Sequence, residues 1–425
     1  MAQQKTAQKK AAKGDTSWFV HDRFGMFIHW GLYAGAARHE WVKQRERITD
    51  EDYQEYFDHF NPDLYDPKAW ARAARDAGMK YFVITSKHHE GFCLWDSKHT
   101  TYKATRTPYG KDLLKPMVNA FRDEGLRIGF YYSLIDWHHP QFPVDRIHPQ
   151  RGDEAFKEKE KDRDIKKYAR YLHNQVKELM TEFGKIDILW TDFSYPGEGG
   201  KGQDDWQSEK LVKMVRKLQP GILLNNRMDL PEESDFQTPE QYTPSRGLTD
   251  KDGEPIVWEG CQTFSGSWGY YRDEASWKSN EMLVQMLINH VSRGGNLLLN
   301  VGPTARGEFD HRALERLQGM GEWMKRHSRS IYGCTFTPSE FPAPDDCRYT
   351  YNPDTKRLYL HLFTWPFGHI RLPNLAGRVT YAQLLNDASE IQFRASGTSG
   401  EAIRLELPVV KPDVAVPVVE LFLDE

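Results

Sequence analysis

Between residues 24 and 301 the chain alternates between two textures. A stretch with apolar positions at helical spacing ends in Gly, and a short run of aliphatic, aromatic and β-branched residues follows at once. The examples are ARAARDAGMKYFVITS, VNAFRDEGLRIGFYYS, ELMTEFGKIDILWTD, VRKLQPGILLNN and INHVSRGGNLLLNV. Their glycines (Gly78, Gly125, Gly184, Gly221 and Gly294) stand where a helix needs a left-handed residue to stop. The apolar runs lack clean polar alternation, the pattern of strands buried on both faces of a parallel sheet. With FGMFIHW (24–30) and IVWEG (256–260), seven strands are predicted by residue 301, and an eighth is expected near 235–239. Such alternation over about 300 residues favours a (β/α)8-type barrel over an open doubly wound sheet.

After Cys334 the helical stretches vanish. CRYTYNPDTKRLYLHLF reads as a hairpin around a Pro-Asp turn, and RVTYAQLLN, EAIRLELP and AVPVVELFLDE are short, β-rich and separated by Gly, Pro and Asn. The expected fold class is therefore α/β: a (β/α)8-like catalytic domain over 15–333, followed by a small C-terminal β-sandwich over 334–425. Residues 1–14 carry four Lys and no acid, without an apolar core, and are expected to be a disordered tail rather than a signal peptide. A cytoplasmic location is the default expectation, and a periplasmic or secreted one follows if a signal has been removed.

Composition narrows the function classes. The chain has 425 residues and a net charge of -4, from 57 basic and 61 acidic side chains, so no broad positive field exists to hold nucleic acid. No apolar run approaches the about 18 residues of a membrane span. The four cysteines show no CxxC spacing, which argues against a zinc knuckle or a disulfide scaffold. Aromatics make up 13% of the chain, and twelve of the 13 Trp precede residue 333. That suits a large core and also a sugar site, where a flat ring covers the apolar face of a pyranose. GEGGKG (197–202) matches G-x-G-x-x-G but follows Pro196 rather than a strand, beside Asp204 and Asp205, so a nucleotide loop is disfavoured. The pairs His88-His89 and His138-His139 lack metal-ligand spacing, so hydrogen bonding is expected of them rather than metal binding.

In a (β/α)8 barrel the site lies at the C-terminal strand ends. These ends carry His29 and Trp30; His88 and His89; Tyr131, Tyr132 and Asp136; Asp192; Asn225 and Arg227; Glu259; and Asn300. Asp192 is the sharpest of them. IDILWTD runs apolar and stops on a carboxylate flanked by Trp190 and Phe193, with an irregular loop after it rather than a helix to cap. Glycoside hydrolysis needs a second carboxyl group. Glu240 in TPEQY and Glu259 in VWEG are both candidates, and bare chemistry does not separate them.

FGMFIHWG, HHEGFCLWDS, YYSLIDWHHP, LWTD, TPEQY, WEGCQTFSGSWGYY and LLLNVGP, in this order over about 17–333, resemble glycoside hydrolase family 29, the α-L-fucosidases. The resemblance implies an exo-acting retaining enzyme that releases terminal L-fucose from a fucosylated glycan or oligosaccharide, without a cofactor. It implies Asp192 as nucleophile, and it favours Glu240 over Glu259 as acid/base. It also implies His29, Glu40, Trp41, His88, His89, Trp95 and Arg227 as sugar-binding residues, with Trp268 against the fucose methyl and Tyr132 as a further contact. Two alternatives remain beside this reading: a glycosidase of similar fold for another sugar, such as an α-galactoside, and an inactive sugar-binding barrel. The linkage preferred, the state of assembly, monomer or oligomer, and the role of the C-terminal domain are left open.

Overall fold

The computed structural model describes residues 13–397 and 401–424. Of the tail expected over 1–14, residues 1–12 lie outside the described residues. Lys13 and Gly14 are fixed by hydrogen bonds to the Ser234 carbonyl and the Asp235 carboxylate.

Seven parallel strands form one sheet in the order β5-β4-β3-β2-β1-β7-β6. They are β1 (Phe24–Ile28), β2 (Tyr81–Lys87), β3 (Arg127–Ser133), β4 (Ile188–Asp192), β5 (Leu223–Leu224), β6 (Glu259–Thr263) and β7 (Asn296–Val301). The eighth position, expected near 235–239, is filled by an irregular segment rather than a full strand. Phe236 bridges Asn225 on one side, and Gln237 and Glu240 bridge Trp258 and Cys261 on the other, all in parallel sense. Pro239 has no N–H to donate, which explains why the ladder breaks here. The ring nevertheless closes, as a (β/α)8-type barrel.

Helices Pro67–Asp76, Leu114–Asp123, Ile165–Glu182, Ser208–Leu218, Asn280–Val291 and His311–His327 cover the outside. The glycines read as helix stops do adopt positive φ, for example 87° at Gly78 and 78° at Gly294. Strand alternation then sorts the side chains into two layers. Met26, Ile28, Phe82 and Ile84 pack outward under the helices. Phe27, Tyr81, Val83, Tyr131, Trp190 and Leu298 fill the interior, and Phe19 of a short N-terminal helix plugs the bottom.

Beyond the barrel, β8 (Cys347–Asn352), β9 (Arg357–Leu362), β11 (Val379–Leu384) and β14 (Val418–Leu423) form an antiparallel sheet in the order β11-β14-β9-β8. It faces a three-stranded sheet of β10 (His369–Leu372), β13 (Ala402–Glu406) and β12 (Phe393–Ser396). Leu358, Leu360, Leu372, Leu405 and Leu421 fill the space between the two sheets, and the β8–β9 hairpin turns where Pro-Asp was read. The outer face of the larger sheet rests on the last barrel helix, where Trp323 donates to the Val416 carbonyl at 2.9 Å.

One wholly buried ion pair fixes the irregular seam. Arg216 on helix Ser208–Leu218 reaches Asp235 at 2.7 Å, and the same carboxylate accepts from the Leu224 N–H at 2.7 Å and the Gly14 N–H at 2.9 Å. Asp235→Ala removes the partner of a buried guanidinium and the side-chain acceptor of two backbone N–H groups. It is expected to destabilise the fold by about 3–5 kcal/mol, measured by urea unfolding. A loss below about 1 kcal/mol would show that solvent can replace the pair.

Candidate active site

β4 delivers Asp192 to the top of the barrel, where three neighbouring elements converge on it. Tyr131 on β3 donates its hydroxyl to Oδ2 at 2.8 Å, and Arg227, after β5, donates Nη1 to Oδ1 at 2.8 Å. His89, just past β2, brings Nε2 to 4.0 Å from Oδ2. Arg227 is the hub. Its Nη2 lies 2.8 Å from Glu240 Oε2, its Nε donates to Thr238 Oγ1 at 3.0 Å, and its plane rests 4.6 Å from the Trp190 ring. One planar fork therefore holds Asp192 and Glu240 together, and Thr238 ties that fork to the irregular eighth segment carrying Glu240. Burial pulls the guanidinium down, but the Asp192 and Glu240 charges outweigh it and raise its pKa above the ordinary arginine value.

Two of the site histidines favour the neutral form. Burial first, and the neighbouring histidines second, depress His29 and His89 well below the usual imidazole range. Their tautomers follow from their partners. Ser133 gives its hydroxyl proton to the Ile135 carbonyl, so its oxygen accepts from His89 Nδ1–H at 2.7 Å. Asn300 spends its amide N–H on the Trp268 carbonyl, so its Oδ1 accepts from His29 Nδ1–H at 2.6 Å. Both rings thus keep Nε2 as an acceptor, suited to sugar hydroxyls. His88 stacks on Tyr131 at 5.6 Å and lies tilted against His89 at 4.0 Å between centroids. Sequence alternation would put His88 and His89 on opposite faces, but they follow the last residue of β2, so both turn inward.

Glu40, Trp41 and Trp268 form a wall. Glu40 Oε2 accepts from the Gly269 N–H at 2.8 Å, tying the loop after β1 to the loop after β6. Trp268 lies 5.2 Å from His29, and Trp41 lies 5.0 Å from His89 and 5.2 Å from Phe193. Phe193, next to Asp192, holds a φ of 74°, a left-handed conformation that a bulky residue keeps only when packing enforces it.

Three expected residues fall elsewhere. Tyr132 points outward and donates to Gln175 on helix Ile165–Glu182 at 2.8 Å, under the Lys87 ammonium. Parity along β3 gives the inward place to Tyr131. Trp95 is buried between the sheet and that same helix, donating to Glu178 at 3.0 Å. Glu259 is at the wrong end. The strand expected over 256–260 runs instead over Glu259–Thr263, so Glu259 opens β6 rather than ending it, opposite Asn296 at the start of β7. Fully enclosed, it accepts from Tyr81 at 2.6 Å and from Trp190 Nε1 at 3.2 Å. It supports the floor on which Arg227 rests and cannot reach a glycosidic oxygen. Sequence reading passed over Glu90, whose buried carboxyl lies 3.8 Å behind His88 Nδ1, neither having a hydrogen-bond partner among the described residues. Its place in HHEGF was the only available signal.

The family model described as alpha-L-fucosidase matches residues 1–329. The chain belongs to the α-L-fucosidase family. It is a glycoside hydrolase of that family, with a barrel and a C-terminal β-sandwich. It is 31% identical to the plasma alpha-L-fucosidase of Rattus norvegicus, over 92% of this chain and 87% of that protein. Alpha-L-fucosidase isoenzyme 1 from Paenibacillus thiaminolyticus superposes with a TM-score of 0.91 at 46% identity, covering 96% of this chain and 99% of that one. An alpha-L-fucosidase from Bacteroides thetaiotaomicron, solved as a trapped covalent intermediate with 2-fluoro-fucosyl fluoride, gives 0.84 at 27% identity, over 99% and 98% of the two chains.

The enclosed Glu259 generates a stability prediction for this fucosidase. Burial raises its pKa from 4.5 to about 7, against the opposing hydrogen bonds from Tyr81 and Trp190. The folded chain therefore keeps a proton that the unfolded chain releases, and the associated stability is present below about pH 4.5 and lost as pH rises to about 7. Glu259→Gln abolishes this titration. Variant stability minus wild-type stability should rise by about 3 kcal/mol between about pH 4.5 and about pH 8, measured by urea unfolding. A flat difference would show that the carboxyl is ionised throughout.

Proposed function

We propose that this α-L-fucosidase is exo-acting and retaining, with Asp192 as nucleophile and Glu240 as acid/base. The observation that carries the assignment is the single guanidinium of Arg227 held by both carboxylates at the C-terminal end of the barrel. The trapped covalent intermediate of the Bacteroides thetaiotaomicron relative supports a double displacement.

In the first step an Asp192 oxygen attacks the anomeric carbon while the bond to the leaving oxygen breaks and Glu240 gives that oxygen its proton. In the second step Glu240 takes a proton from water, the water oxygen attacks the same carbon, and Asp192 departs as carboxylate. Two inversions leave the configuration unchanged. Asp192 attacks as a carboxylate, and the hydrogen bonds from Arg227 and Tyr131 orient it. Glu240 needs to change state, and it is 42% exposed on a segment without a regular ladder. Its contact with Arg227 suits the ionised base. Giving up that contact for the leaving oxygen suits the protonated acid.

Neutral His29 and His89 accept from fucose hydroxyls, with His88 beside them and Glu40 at the wall. Tyr131 takes the place expected of Tyr132. Trp41 and Trp268 give flat apolar surface, and Trp268 covers the C5 methyl that separates L-fucose from a galactose-type sugar with a C6 hydroxyl. The reading thus favours a fucoside over a galactoside.

An aryl α-L-fucoside should be hydrolysed with α-L-fucose as the first-formed anomer by NMR, and an aryl α-D-galactoside should not be turned over. Asp192→Asn should lose at least about 10³-fold in kcat with the fold intact by circular dichroism. First appearance of the β anomer, or turnover by the variant, would refute the nucleophile assignment.

Glu240→Ala should lower kcat/KM strongly for a poor leaving group and little for an activated aryl one. Added azide should restore rate by forming the fucosyl azide, because a small anion needs no general base. Equal loss for both leaving groups without azide rescue would place the acid elsewhere.

A further inference from the structure

A second cluster of charge lies at the opposite end of the barrel, where the strands begin. A cavity of about 370 Å³ opens there between the turn leading into β7 and the first strand of the C-terminal sheets. Its volume is within the range of about 300–1,000 Å³ typical of small-molecule sites. Arg246, Arg293 and Arg348 all line it, with Ser245 and Ser292, and no carboxylate does.

The arginines are held only by neutral groups. Asn289 Oδ1 accepts from Arg293 Nη1 at 2.7 Å and from Arg348 Nε at 3.0 Å, so one amide oxygen draws two guanidinium groups together. Arg293 also donates to the Asn289 and Ser245 carbonyls, and Arg348 to the Cys347 carbonyl. Among the described residues, none of the three arginines has a carboxylate oxygen within 4.0 Å. Asp345 and Asp346, the nearest acids along the chain, act on Cys347 but pair with neither Arg293 nor Arg348. Burial first, and the Arg348 charge second, pull Arg293 below the ordinary arginine value, with no acid raising it.

Two half-buried guanidinium groups sharing one neutral oxygen repel each other, and no carboxylate among the described residues pairs with either. The Nη2 group of each has no hydrogen-bond partner among the described residues. Paired N–H donors on fixed planar forks match the oxygens of a tetrahedral anion, the geometry for which arginine is favoured over lysine. We propose that this cavity binds a phosphate- or sulfate-type oxyanion between Arg293 and Arg348, with the exposed Arg246 at the rim. The volume leaves room for a sugar ring bearing that group. The site is separate from the catalytic carboxylates and does not depend on their assignment.

The test is isothermal titration of the full chain with sodium sulfate, sodium phosphate and galactose 6-sulfate, at constant ionic strength set with sodium chloride. Saturable binding is expected, weakened at least about tenfold by Arg348→Gln and abolished in the Arg293→Gln/Arg348→Gln double variant. Fucoside hydrolysis should be unchanged in both. Arg246→Gln, which removes no internal hydrogen bond and so leaves folding untouched, should weaken binding severalfold. Tighter binding of the sugar ester than of the bare ions would identify a sugar-borne group, and equal binding a free anion. Either result supports the site. No saturable heat with any of the three, or unchanged affinity in a folded double variant, overturns the proposal.

Discussion

Two carboxylates at the same end of a barrel repel each other unless a cation lies between them, and Arg227 is that cation. Its fork takes Asp192 with one terminal nitrogen and Glu240 with the other, while Nε is fixed by Thr238. The rest of the site follows from that placement. The Trp190 ring beneath the guanidinium sets its height, and Trp190 is itself held by Glu259 from below and stacked on Tyr131, which donates to Asp192. Asp192, Arg227, the Trp190 ring and the buried Glu259 thus form one connected unit running down the barrel axis. A disturbance at Glu259 would reach Asp192 through Trp190.

Charge in this unit is sorted by burial and by ionic partners. At the top Arg227 donates to Asp192, and the carboxylates beside the guanidinium raise its pKa above the ordinary arginine value despite its burial. Around them burial keeps His29 and His89 uncharged, so they act through lone pairs and N–H groups rather than as competing cations. A protonated imidazole 4.0 Å from Asp192 would draw on the carboxylate that the proposed mechanism uses as nucleophile. Neutral histidines leave that carboxylate to Arg227 and Tyr131, whose hydrogen bonds also orient it.

Most of the barrel could be read from periodicity because five of the six outer helices stop at a glycine and most of the strands are runs of apolar residues. Asp192, Arg227 and the inward histidines were legible for the same reason: a strand end is a place that the pattern marks. The misplacements share a cause as well. Tyr131 and Tyr132 are adjacent and chemically equivalent, and only the parity of β3 decides which one faces the barrel interior. Glu259 moved from the top of the barrel to its floor because β6 starts three residues later than its apolar run suggests, the residues before it being taken up by the irregular eighth segment. Trp95 lies in a loop, where no periodicity states a direction. In a barrel a small error in register is an error in depth, and depth separates a catalytic carboxyl from a structural one.

The irregular seam is where such errors concentrate, and the proposed mechanism gives a reason for it to be irregular. A nucleophile does one thing at one place, and Asp192 ends a fully buried strand paired along β3. An acid/base has to hold a proton in one step and accept one in the next, against partners at different positions. A group fixed in a regular ladder would serve one of those partners well and the other badly. Glu240 follows Pro239, which interrupts the ladder, and its segment is tied to the barrel through Thr238 and the buried Asp235 rather than through continuous pairing. The Arg216–Asp235 pair supplies the stability that the missing ladder does not. The carboxylate beyond it stays free to alternate between Arg227 and a leaving oxygen.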